Sequence, residues 1–114
     1  MNSQKIEALQ TATEYIDNLK EGIQKAINYY QSGEEDKASK LINPIAEGIE
    51  WLVQVLVLCN DVINSQESID SLNKNLIEIV NGFENEDYIL ISDIFEYEML
   101  STLEQVQTSL KEVI

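Results

Sequence analysis

Histidine and arginine are absent from the 114-residue chain, and cysteine and proline occur once each. Without histidine, acid–base catalysis at neutral pH loses its commonest agent. The Glu-x-x-His dimetal site of some helical bundles also becomes impossible. Without arginine, bidentate contacts to phosphates and base edges are lost, and a net charge of −14 repels nucleic acid and anionic lipid alike. The single Cys59 allows no intrachain disulfide and favours a reducing compartment. The four glycines are isolated at positions 22, 33, 48 and 82, so no glycine-rich phosphate loop exists. The most apolar run, Ile49 to Ile63, is broken by Glu50, Gln54, Asn60 and Asp61. It falls short of the roughly 20 apolar residues of a membrane span. The start, Met1-Asn2-Ser3-Gln4-Lys5, lacks the charged head and apolar run of a signal peptide. These absences predict a cytoplasmic protein with no nucleic-acid or membrane partner.

What remains suits helix: leucine, isoleucine, glutamate, glutamine and lysine, with a hydrophobic fraction of 44%. The length fits one domain, residues 1–114. In the first segment, about 3–31, Leu9, Ile16, Ile23 and Tyr30 fall seven apart, with Ile6, Leu19 and Ala26 or Ile27 between them. That is the seam of a bundle helix. Asn2 or Ser3 can cap it, and Ser32-Gly33 ends it. Ser32 with Glu35 reads as a capping box for the second helix, about 35–64. Pro44 predicts a kink near Ile42 or a new helix capped by Asn43. Gly48 predicts a close approach. A third helix, about 67–82, carries Ile69, Leu72, Leu76, Ile79, Val80 and Phe83. Asn81 to Asn85 reads as a break, and Asn85 or Asp87 starts the last helix, about 87–113. Four such helices with short connections predict an all-α, antiparallel up-down bundle. The alternative is a three-helix core with one long helix docking onto a second copy.

Candidate chemistry is sparse. Cys59 lies in the most apolar stretch and reads as a core side chain. Glu84-Asn85-Glu86-Asp87 lacks the spacing and internal glycine of a calcium loop. No catalytic, cofactor or metal residue is assigned, and the chain is not expected to be an enzyme. The second helix, however, holds more apolar residues than one bundle face needs. Trp51, Val53, Val57 and Leu58 are candidate interface residues. Tyr97 and Glu98 join them from a strongly acidic half, since residues 75–110 contain eight acids and no lysine. Tryptophan and tyrosine are frequent interface anchors. The expected function is a non-enzymatic interaction module, adaptor-like or chaperone-like, that binds a protein partner or its own twin. A carboxylate-based divalent-metal or small-molecule site, and a structural subunit of a larger assembly, are the alternatives.

Asp87-Tyr88 followed by Ser92-Asp93-Ile94-Phe95-Glu96-Tyr97-Glu98, with Gly48-Ile49-Glu50-Trp51-Leu52 before it, resembles a pattern in small uncharacterised helical proteins of clostridial or bacillar type. The resemblance implies a helical fold and no activity. In size, acidity and helix count the chain is more loosely similar to flagellar export chaperones.

Overall fold

Apolar residues at every third or fourth position wind the first segment into helix α1, Ser3–Gln31, in a computed structural model that describes residues 3–114. Leu9, Ala12, Ile16, Leu19, Ile23, Ala26 and Ile27 are buried along one stripe. The cap expected at Asn2 lies outside the described residues. The helix stops in a Schellman motif. Gly33 takes φ 78°. The Glu34 N–H donates to the Tyr29 carbonyl at 2.8 Å, and the Gly33 N–H to the Tyr30 carbonyl at 3.2 Å. Ser32 serves this end rather than the next, its Oγ donating to the Asn28 carbonyl at 2.8 Å. The expected Ser32–Glu35 capping box therefore does not form. Helix α2 begins at Glu35, with Glu34 before it making no side-chain cap.

Helix α2, Glu35–Leu58, passes through Pro44 as one element, so no second helix starts at Asn43. Proline deprives the Lys40 carbonyl of its partner. Lys40 and Pro44 are both exposed, which leaves that carbonyl to water. Gly48 is the close approach: a Cβ there would stand 2.6 Å from Leu19 Cδ2 and 2.6 Å from the Tyr15 hydroxyl. The helix ends at Leu58, earlier than the Asn64 expected from the stripe. The Val62 and Ile63 N–H groups both donate to the Cys59 carbonyl, at 2.9 and 3.0 Å, and bend the chain into a turn. Ile63 is nonetheless buried. The apolar pattern thus continues past the point where the helix stops, because the turn feeds the same core.

Helix α3, Gln66–Glu84, runs through Gly82 instead of ending there. Gly82 packs against the next helix; an added Cβ would lie 3.0 Å from Ile91 Cγ1. The left-handed residue of this second Schellman turn is Glu86, at φ 53°. The Asp87 N–H donates to the Gly82 carbonyl at 2.8 Å, and the Glu86 N–H to the Phe83 carbonyl at 3.2 Å. Asp87 then caps the last helix, its carboxylate accepting from the Leu90 N–H at 3.1 Å. That helix, α4, consists of Tyr88–Ile94, a π-helical turn at Phe95–Met99, and Leu100–Val113.

The π-turn has a cause in the sequence. Ile91, Phe95, Met99 and Leu103 are all fully buried and stand four apart. In an ideal α-helix each four-residue step overshoots a full turn by about 40°, so three steps drift by about 120°. One wide turn absorbs the drift and keeps all four side chains on the core.

α1 packs on α2 and α4, and α3 packs on the same two, so α1 and α3 stand on one diagonal, α2 and α4 on the other. Connections 32–34, 59–65 and 85–87 are short, which makes sequential helices antiparallel. The bundle measures 48 × 21 × 19 Å. One buried polar bridge fixes α4 against α1. Gln107 Nε2 donates to the Thr13 carbonyl at 2.9 Å and to Asp17 Oδ1 at 2.8 Å. Its Oε1 accepts from Lys20 Nζ at 3.3 Å.

Candidate protein interface

The second helix supplies more apolar side chains than the core takes. Its buried stripe uses Ala38, Ile42, Ile45, Gly48, Ile49, Leu52, Val55 and Leu56. Val53 is half-buried and packs on the edge of this core. Trp51, Val57 and Leu58 stay outside, at 37%, 55% and 71% exposure. Trp51 is held edge-on by Tyr15, with ring centroids 5.1 Å apart at 81°. That geometry suits the opposite charge of ring edge and ring face. Gly48 makes it possible, because any side chain there would displace the Tyr15 hydroxyl. By length and composition α2 is also apolar enough to cross a membrane. Within the bundle, its contacts with α1, α3 and the core use that apolarity.

Where α2 ends beside the start of α1, an open depression of about 350 Å³ is lined by Lys5, Ala8, Val55, Leu58 and Cys59. Its rim is pinned by Lys5 Nζ on both carboxylate oxygens of Asp61, at 2.8 and 2.9 Å. Lys5 holds the Asp61 carboxyl below its ordinary range by that hydrogen bond. The Cys59 thiol is buried under the same rim. Burial pushes it up, the Lys5 charge pulls it down, and Asp61 adds to the upward push. A thiol raised in this way is protonated and unreactive at neutral pH.

Tyr97 and Glu98 project from the π-turn, Tyr97 at 70% exposure. They belong to α4, the helix diagonal to α2, so they form no continuous surface with Trp51, Val57 and Leu58. Tyr97 and Glu98, expected to join the α2 residues, therefore lie on a separate face. Along α4, Asp87 and Glu98 are exposed while Ile91 and Ile94 are buried.

Further exposed apolar residues were not foreseen. Ile77, Val80 and Phe83 lie outward on α3, and Ile89 and Leu90 on the first turn of α4. Val80 and Phe83 were expected in the core. The buried stripe of α3 is instead Ile69, Leu72, Asn75, Ile79 and Gly82. A polar residue and a glycine occupy core positions, and two large apolar residues are turned out. The sign of this in the sequence was Ile77, an isoleucine off the assumed stripe.

Among the described residues no group of three or more histidine, cysteine, aspartate or glutamate side chains is placed to hold a metal ion. No curated protein and no solved structure matches the chain. A family model described as Domain of unknown function (DUF8042) matches residues 7–109, nearly the whole bundle, and the chain belongs to that family.

Proposed function

We propose that the protein is a non-enzymatic interaction module of the bacterial cytoplasm, adaptor-like or chaperone-like, that docks an amphipathic helix of a partner protein. The observation that carries this reading is Leu58, 71% exposed beside Val57 at the mouth of the depression between α1 and α2. A large apolar side chain left in water next to an apolar hollow is the arrangement of helix-in-groove recognition. Trp51, two turns before Leu58 on the same helical face and clamped by Tyr15, is a rigid aromatic anchor of the kind that dominates interface energetics. With a charge of −14, two copies repel one another, so the partner is a neutral or basic protein rather than a second copy.

The test is selection of helical peptides from a display library, followed by mapping with amide chemical shifts. Peptides that move Ala8, Val55, Leu58 and Cys59, and that lose binding in Leu58→Glu at unchanged helicity, support the proposal. Peptides that bind equally well to Leu58→Glu sink it. Sedimentation of the free chain as a monomer is the expected companion result.

A further inference from the structure

A second site lies at the opposite end of α1. From Lys5 to Tyr30 is 25 residues of helix, about 38 Å, so this end is far from the Leu58 depression. Here the last turn of α1, the first of α2 and the first of α4 enclose an open cleft of about 230 Å³. Tyr30 and Tyr88 stack in its wall, ring centroids 5.3 Å apart and planes 18° from parallel. Gln31, Glu35, Ile89, Ser92 and Asp93 complete it.

Three features give the cleft its chemistry. First, its carboxylates lack a cation of their own. Among the described residues Lys37 pairs with Glu34 at 2.9 Å, Lys5 with Asp61 and Lys74 with Glu78, and no lysine pairs with Glu35 or Asp93. Second, Ser92 lines the cleft at 7% exposure, and its hydroxyl has no hydrogen-bond partner among the described residues. Unlike the enclosed, unpartnered Ser65 Oγ and Asn75 Nδ2, the Ser92 hydroxyl opens onto the cleft, where a ligand N–H or water can serve it. Third, the stacked rings bring π surface next to negative charge. Burial raises the phenols of both Tyr30 and Tyr88, and nearby carboxylates, Glu35 among them, raise them further. Both phenols are therefore neutral at physiological pH. At this same end Lys37 Nζ already sits 5.8 Å from the centroid of Tyr29.

We propose that this cleft binds an organic cation, an alkylammonium or guanidinium group, between the tyrosine pair and the carboxylates of Glu35 and Asp93, with Ser92 Oγ accepting an N–H. A divalent metal fits less well. Two carboxylates fall short of the six to eight oxygens that calcium prefers, and aromatic faces favour organic cations. The volume lies below the roughly 300–1,000 Å³ of drug-sized sites, so it takes one side chain or one small amine. Ile89, 78% exposed at the lip, offers apolar contact to the stem of a lysine.

The experiment titrates the isotope-labelled chain at low salt with n-butylammonium and, separately, with a capped peptide bearing one lysine between alanines. Amide shifts concentrated at residues 30–36 and 88–93 are expected. Glu35→Gln with Asp93→Asn should weaken binding about tenfold. Tyr88→Leu should weaken it about 2- to 5-fold. The control Glu7→Gln with Glu14→Gln removes the same charge from exposed positions on α1 and should change affinity less than 2-fold. Tighter binding of the peptide identifies a partner's side chain as the ligand, and equal binding identifies a free amine. Shifts spread over all acidic faces, or an equal loss in the control, overturn the proposal by showing only a diffuse counter-ion atmosphere. The charge variants alter exposed side chains, so an unchanged spectrum away from the cleft verifies the fold.

Discussion

Deleting one residue from the middle of a bundle helix ordinarily destroys it, and α4 should be an exception. The perturbation is removal of Glu96, an exposed residue of the π-turn whose carboxylate accepts one exposed hydrogen bond, from Gln31 Nε2 at 3.1 Å. At present the buried residues Ile91, Phe95, Met99 and Leu103 are spaced four, four and four. After the deletion the spacing becomes four, three and four, which a regular α-helix places on one face. The wide turn should close into ordinary helix, with downstream residues keeping their orientation and the helix keeping its length. The comparison is deletion of Glu21 from α1, also exposed but in a helix without a wide turn. There every residue beyond the deletion rotates by about 100°. Ile23 and Ile27, both buried now, swing away from the core. Each isoleucine lost from the interior costs about 1.5–3 kcal/mol, so the pair costs about 3–6 kcal/mol. That is much of the roughly 5–15 kcal/mol that holds a domain together. The Glu96 deletion should stay within about 1 kcal/mol of the parent, a change in Tm of about 5 °C or less. Urea unfolding followed by far-ultraviolet circular dichroism measures both. If the Glu96 deletion loses as much stability as the Glu21 deletion, the π-turn is not the register correction inferred above.

Four further outcomes are expected. Glu86→Gly should raise stability by about 0.5–1 kcal/mol, because the left-handed backbone at φ 53° costs a side chain about 1–2 kcal/mol and glycine gives part of that back through unfolded-state entropy; chemical denaturation gives the sign. Gly48→Ala should lower stability by about 1 kcal/mol despite alanine's better helix propensity, since overpacking costs about 1–3 kcal/mol; altered Trp51 fluorescence would report the displaced Tyr15 ring. Cys59 should react slowly with a thiol reagent at pH 7 and quickly in denaturant. Its folded pKa is raised mainly by burial, so burial of the neutral thiol carries no penalty below the ordinary cysteine range, and stability falls as pH rises towards the folded value. Raising sodium chloride from about 10 to 150 mM should raise the melting temperature, as the Debye length falls from about 30 to 8 Å and repulsion among the acids is screened; an unchanged or lower Tm would contradict it.

The amino-acid sequence by itself determined the helical class, the number of helices and most of the buried stripe of α1, missing Ala12 and including the half-buried Ile6 and Tyr30, because helix periodicity is a local property that survives without neighbours. It also settled that Gly33 would end α1 and that Gly48 would meet another chain segment, since both follow from the missing Cβ. It marked Trp51, Val57 and Leu58 as residues beyond what the core needs, and the structure leaves all three exposed. Tertiary structure decided the rest. Whether Ser32 turns back to donate to the Asn28 carbonyl or forward to accept from the Glu35 N–H depends on which partner the turn brings near. The end of α2 at Leu58 was invisible because the turn after it buries Ile63 in the same core. Which face of α3 points inward depends on its two neighbours, and they chose Asn75 and Gly82 over Val80 and Phe83. The π-turn, although implied by a run of fours, appears only because four side chains must reach one core. Above all, Tyr30, Glu35, Tyr88 and Asp93 come from three helix ends that meet only when the bundle closes. No spacing along the chain announces that cleft.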